Sequence, residues 1–125
     1  MDDFIRVMKA LSDPNRVRIL KLLKDGELCV CEIQDLLGLA QSTVSSHMKL
    51  LEKAGLVLRR RQGTWILYRL AGDATSTYAH TMLAHLAAWL EDDPELIAMR
   101  GRLPEAARLR GCGKVSCPVQ QPEQS

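Results

Sequence analysis

Four cysteines in two close pairs carry the reactive side chains of this chain: Cys29 and Cys31, separated only by Val30, and Cys112 and Cys117 near the end. Thiolates are soft donors, so such pairs suit As(III), Cd(II), Pb(II) or Zn(II) and not magnesium or calcium. Two other chemistries use the same residues: a thiol redox switch, or no chemistry at all, since cysteine is often a small buried hydrophobe. The spacing of the first pair constrains all of these. Residues i and i+2 of an intact helix point about 200° apart, so Cys29 and Cys31 can face one ion only where the turn is distorted or not yet helical. A disulfide between them is strained for the same reason.

The surroundings of the thiols exclude several classes. No basic region followed by an apolar run opens the chain at Met1-Asp2-Asp3-Phe4, and no stretch approaches the roughly 18 apolar residues that span a bilayer. The expectation is a cytoplasmic chain with no membrane partner, whose thiols stay reduced and serve metal binding or redox sensing instead of a disulfide framework. An enzyme is not expected: no phosphate-cradling loop, Cys-x-x-Cys motif or cysteine–base pair is recognisable, and nothing calls for an organic cofactor. The net charge is only +2, so the placement of basic residues must carry any argument about partners.

Helical spacing dominates the elements that position these groups. Phe4, Val7, Met8 and Leu11 fall at i, i+3, i+4 and i+7, one stripe of a first helix opened by Asp2 and Asp3. Asp13 caps a second helix with Pro14 at its first position and Val17, Leu20 and Leu23 inside, ended by Asp25-Gly26. A third helix is predicted from about Cys29 to Leu37, stopped by Gly38. After the turn Leu39-Ala40-Gln41, the stretch from Ser42 to Ala54 buries Val44, Met48 and Leu51. Two β-rich runs, 56–61 and 64–70, meet at Gln62-Gly63 as a hairpin. Tyr78, Met82, Leu86, Trp89 and Leu90 return to helical spacing over about 75–90, and residues 95–109 have the makings of one more short helix. The predicted organisation is one domain over residues 1–91 and a partly flexible extension over 92–125 that carries the second cysteine pair.

The face opposite Val44 and Met48 carries Ser42, Thr43, Ser45, Ser46, His47 and Lys49, with Gln41 just ahead, a mixture suited to base edges and phosphates. Arg59, Arg60 and Arg61 follow on the hairpin and suit phosphate or the minor groove. A short helix, a tight turn, a polar-faced helix and a basic hairpin in this order form a winged helix-turn-helix: a mainly α fold of about five helices with a β-hairpin wing. Double-stranded DNA is the partner this implies.

With these residues in place, the chain resembles the ArsR/SmtB family of metal-responsive winged-helix repressors over about residues 4–91. The resemblance rests on Ala10-Leu11-Ser12-Asp13-Pro14-Asn15-Arg16, on Gln41-Ser42-Thr43-Val44-Ser45-Ser46-His47-Met48, and on Leu51-Glu52-Lys53-Ala54-Gly55-Leu56-Val57. It implies operator occupancy by the apo protein and release on metal binding. It also implies a homodimer through the first and last helices, with Phe4, Val7, Met8, Tyr78, Met82, Leu86 and Trp89 at the interface; the two apolar stripes agree with that.

Leu28-Cys29-Val30-Cys31-Glu32 is similar to the Cys-Val-Cys box of the arsenic-, cadmium- and lead-sensing branches, which makes arsenite the first expectation for the inducer and Cd(II), Pb(II) or Zn(II) the alternatives. The best-known arsenic box has a third cysteine three residues on, where this chain has Gln34. Arsenite prefers three sulfurs, so the third would come from Cys112 or Cys117, the other subunit, or a small thiol. The zinc site that another branch builds between its last helices is not expected: Asp73-Ala74-Thr75 breaks its opening motif, and His80 and His85 lie five apart, off one helical face.

Overall fold

The computed structural model describes residues 1–72 and 76–103. Their order is α1 (Asp2–Ala10), α2 (Pro14–Leu23), β1 (Leu28–Cys29), α3 (Val30–Leu37), α4 (Gln41–Lys53), β2 (Val57–Gln62), β3 (Trp65–Leu70), α5 (Thr77–Leu86) and α6 (Pro94–Gly101). The strands form an antiparallel sheet in the order β1-β3-β2. No helix among the described residues is long and apolar enough to cross a membrane.

Local chemistry explains most boundaries. Asp13 is the N-cap of α2 and accepts the Arg16 N–H at 3.1 Å, while Pro14 occupies a first-turn position whose missing N–H costs no helical bond. Gly38 ends α3 in the left-handed region at φ 68°, which a side chain would strain. The hairpin turns at Gly63-Thr64, one residue later than the sequence suggests, because Gln62 pairs with Trp65 and the positive φ of 62° falls on Gly63.

The apolar faces converge on one core. Val44, Met48 and Leu51 of α4, Ile33 and Leu36 of α3, and Ile19, Leu20 and Leu22 of α2 are all buried, closed over by Leu56, Val57 and Leu67 of the sheet. Val7 of α1 and Leu86 of α5 also lie inside, at 0% and 7% exposure. α6 falls in the stretch expected to be an extension, yet it buries Leu96 and Met99, and its Glu95 accepts from Arg18 at 2.6 Å.

Two boundaries depart from the periodic reading. The third helix starts at Val30, because Leu28 and Cys29 pair in register with Tyr68 and Leu67 of β3. The last long helix ends at Leu86, four residues before Leu90. Lys21, in the last turn of α2 and 1% exposed, explains the second departure: its ammonium donates to Leu86 O at 2.6 Å, to Trp89 O at 2.5 Å and to the Glu91 carboxylate. Lys24 adds a bond to Ala87 O at 2.9 Å. Cations that take up the last carbonyls complement the helix end. The chain then leaves through Leu90, a non-glycine residue at φ 61°.

Candidate nucleic-acid interface and thiol pair

On α4, Gln41, Ser42, Thr43, Ser46 and Lys49 are exposed and Ser45 is half-buried. They lie opposite the buried Val44, Met48 and Leu51, so the helix presents short donors and acceptors on its outer side and is held by its inner one. Short hydroxyls and an amide can approach base edges, and Lys49 can reach phosphate. His47 does not belong with them. Its side chain is 13% exposed, its Nδ1 lies 3.2 Å from Arg16 Nη1, and its Nε2 lies 3.9 Å from Asp13 Oδ2. Sequence spacing put it on the polar face; packing against the start of α2 turns it inward.

The three wing arginines are not equivalent either. Strand alternation sends Arg59 and Arg61 to one face of β2 and Arg60 to the other. Arg60 grips Glu27 with two bonds of 2.6 Å, which hold its guanidinium firmly charged, above the ordinary arginine value. Arg59 lies 3.5 Å from Glu52 of α4. Arg61, beside the hairpin tip, donates to Gly63 O at 3.2 Å, and among the described residues it has no carboxylate within ion-pair distance. It is the wing arginine whose charge is least committed inside the fold.

The thiol pair straddles a junction. Cys29 is fully buried at the end of β1 and is also the N-cap of α3, with extended backbone at φ −94° and ψ 170°. Cys31, half-buried, is already helical. The opposed directions of an intact helix therefore do not apply, because the first cysteine lies outside the helix. Glu32, buried in the first turn, accepts the Cys29 N–H at 2.7 Å and closes the helix start. Among the described residues, no three His, Cys, Asp or Glu side chains come together as metal ligands. Cys112, Cys117 and Asp73 lie outside the described residues. His80 and His85 are exposed, and His85 stacks on Trp89 with ring centroids 5.0 Å apart.

Of the residues expected at a dimer interface, Phe4, Tyr78 and Trp89 are exposed, and Met8 and Met82 are half-buried. Phe4 and Tyr78 meet edge to face at 5.4 Å. Val7 and Leu86 must be withdrawn from that set. Both belong to the protomer's own core, because the apolar stripes of α1 and α5 are wide enough to face two ways and these residues take the inner side.

Sequence reasoning missed Lys21, Glu27, Glu91 and the Asp13–Arg16–His47 contacts. Lys21 alone left a trace, as a charge inside the run Ile19-Leu20-Lys21-Leu22-Leu23. Asp13 was legible as a cap, but His47's contacts with it and with Arg16, and the partners of Glu27 and Glu91, lie far apart in sequence and leave none.

A buried helix pair presenting a polar-faced second helix, flanked by a two-stranded wing with basic residues, defines a DNA-binding winged helix-turn-helix regulator and not an enzyme. Residues 13–58 match the family described as bacterial regulatory protein, arsR family. The arsenic resistance transcriptional regulator ArsR1 of Pseudomonas putida is 35% identical over 105 residues, which span 80% of this chain and 81% of that protein. Among solved structures, reduced HlyU from Vibrio cholerae superposes with a TM-score of 0.61 at 31% identity, over 72% of this chain and 90% of that one. The homodimeric winged helix-turn-helix domain of a possible ArsR-family regulator from Mycobacterium bovis gives 0.59 at 38% identity, over 68% and 75%. The chain belongs to the ArsR family of transcriptional repressors.

Proposed function

We propose that the chain works in the cytoplasm as a homodimer that holds its operator in the apo state and releases it when arsenite is taken up by Cys29 and Cys31. The observation that carries this reading is the position of the pair. The backbone of Cys29 is in register with Leu67 of β3, which pairs with the arginine-bearing β2; Cys31 lies on α3, which packs against α4. Because Cys29 is fully buried, an ion bound by both thiolates reaches it by drawing it out of its strand position or tilting the first turn of α3. Either motion reaches both DNA-facing elements. Each As–S bond that forms takes the place of an As–OH group, the thiol proton leaving with it as water. Cys112 or Cys117, a partner's thiol or a small thiol completes three sulfurs, and Gln34 leaves that place open within the box.

The name of the Pseudomonas putida relative supports arsenite over Cd(II), Pb(II) and Zn(II). The homodimeric Mycobacterium bovis domain supports a dimer, and the exposed Phe4, Tyr78 and Trp89 give it an apolar face. Two copies would place their α4 helices in successive major grooves about 34 Å apart. Release requires only about 1–3 kcal/mol of coupling, within reach of one distorted helical turn.

The test is arsenite-driven release of a duplex selected by the wild-type protein from a random-sequence library. Cys29→Ser/Cys31→Ser should bind that duplex as tightly as wild type and no longer let go. Full release from the double variant would place the sensor elsewhere. Release by peroxide and not by arsenite would make the pair a redox switch, and stronger release by Cd(II), Pb(II) or Zn(II) would change the inducer.

A further inference from the structure

Three helices meet at one guanidinium. Arg16, in the first turn of α2, donates from Nε to Ala10 O at 2.8 Å and from Nη2 to Lys9 O at 3.1 Å, two carbonyls at the end of α1. Its third edge, Nη1, lies 3.2 Å from Nδ1 of His47 in α4. A guanidinium only donates, so Nδ1 accepts and the imidazole proton resides on Nε2. That nitrogen faces Asp13 Oδ2 at 3.9 Å, and the same Asp13 oxygen caps α2 by accepting the Arg16 N–H at 3.1 Å. Asp13, Arg16 and His47 thus close a ring that ties α1 and α2 to the face of α4 nearest them.

The rest of α4 is held differently. Val44, Met48 and Leu51 fix how deeply the helix sits, but apolar contact is not directional and tolerates small rotations about the axis. Its N-cap, Ala40, supplies no side-chain hydrogen bond. The Arg16–His47 bond is a directional restraint joining α4 to the other helices.

We propose that Arg16 and His47 are positioning residues for operator recognition: their hydrogen bond sets the rotation of α4 and links it to the end of α1, whose other face carries Phe4 and Met8. His47 acts through its Nδ1 on Arg16 and not on a base. The exposed Ser42, Thr43 and Ser46 meet DNA in register only while this bond is made. The inference rests on α4 being the DNA-reading helix, which Ser42→Ala/Ser46→Ala tests separately by loss of preference for the selected duplex over a scrambled one.

Two substitutions at His47 separate positioning from reading. The side-chain oxygen of asparagine falls near the place of Nδ1, and the terminal amide of glutamine near that of Nε2. His47→Asn should therefore keep wild-type preference for the selected duplex, while His47→Gln should lose about tenfold, the weight of one hydrogen bond to a charged group. Arg16→Met should lose at least as much with an unchanged slope of log affinity against log salt, since each phosphate contact removed lowers that slope by about 0.9. Any other ranking of the two His47 variants overturns the proposal, and so does a salt slope reduced by about one in Arg16→Met, which would make Arg16 a phosphate contact. Should Arg16→Met fail to fold, the His47 pair decides alone.

Discussion

Lys21→Met removes the ammonium that ends α5 while keeping an unbranched side chain of similar length. The cost follows from what the ammonium leaves behind. Leu86 O is buried and loses its donor, about 1–3 kcal/mol for an orphaned polar group; Trp89 O is closer to solvent and contributes about 0.5–1 kcal/mol. Glu91 is 43% exposed and keeps Arg100 at 3.2 Å, so its carboxylate is not stranded. Relief of the desolvated cation acts in the opposite direction, but three acceptors already compensate that cation, so the carbonyls decide the sign. The expected net loss is about 2–3 kcal/mol, or about 10–15 °C in Tm for a domain of this size. Thermal melts at several protein concentrations separate this from any change in dimerisation. Hydrogen exchange at Ala87 and Trp89, whose amides bond to Leu83 O and His85 O, should accelerate in the variant. An unchanged or raised Tm with intact protection would refute the assignment of the α5 terminus to Lys21.

The same cluster makes a prediction about acid. Hydrogen bonds first from Lys21 and then from Arg100 lower the Glu91 carboxyl from its ordinary value of 4.5 to about 2, so its contribution to stability is complete above pH 4.5 and fades as pH falls toward 2. The Tm difference between wild type and Glu91→Gln should shrink across that window, and a difference that grows on acidification would contradict the pairing. On the wing, Arg61→Ala should reduce the salt slope of DNA binding by about one, Arg60→Ala by less, and Glu27→Gln should free Arg60 and steepen the slope; equal slopes for the two arginine variants would show that Glu27 does not withhold Arg60. Tyr78→Asp should give folded monomers in sedimentation, whereas Leu86→Asp should unfold the chain because Leu86 is internal. A dimer that survives Tyr78→Asp would move the interface off α5.

What the sequence determined by itself was local. The stripe of Val44, Met48 and Leu51, the cap at Asp13-Pro14, the stop at Gly38 and the hairpin around Gly63 each depend on neighbours within a turn or two, so spacing and backbone preference sufficed to place them. The order of polar-faced helix and basic hairpin followed, and with it the winged helix-turn-helix class. Cys29 and Cys31 were legible as a thiol pair because residue type alone makes a soft donor.

Tertiary structure decided whatever depends on a distant partner. β1 is two residues long and is a strand only because β3, nearly forty residues later, pairs with it; no window around Cys29 distinguishes it from a helix start. The apolar period through Leu90 is real, but α5 stops at Leu86 because Lys21 reaches its carbonyls from 65 residues earlier in the chain. His47 and Arg60 have the composition of DNA contacts, and the fold turns one toward Arg16 and commits the other to Glu27. Val7 and Leu86 lie on apolar stripes that periodicity cannot divide between a core and a partner, since both bury the same kind of surface. Hydrophobic burial is not directional, and hydrogen bonds and ion pairs are satisfied by whichever group the fold brings near, so these assignments exist only once the chain has closed on itself.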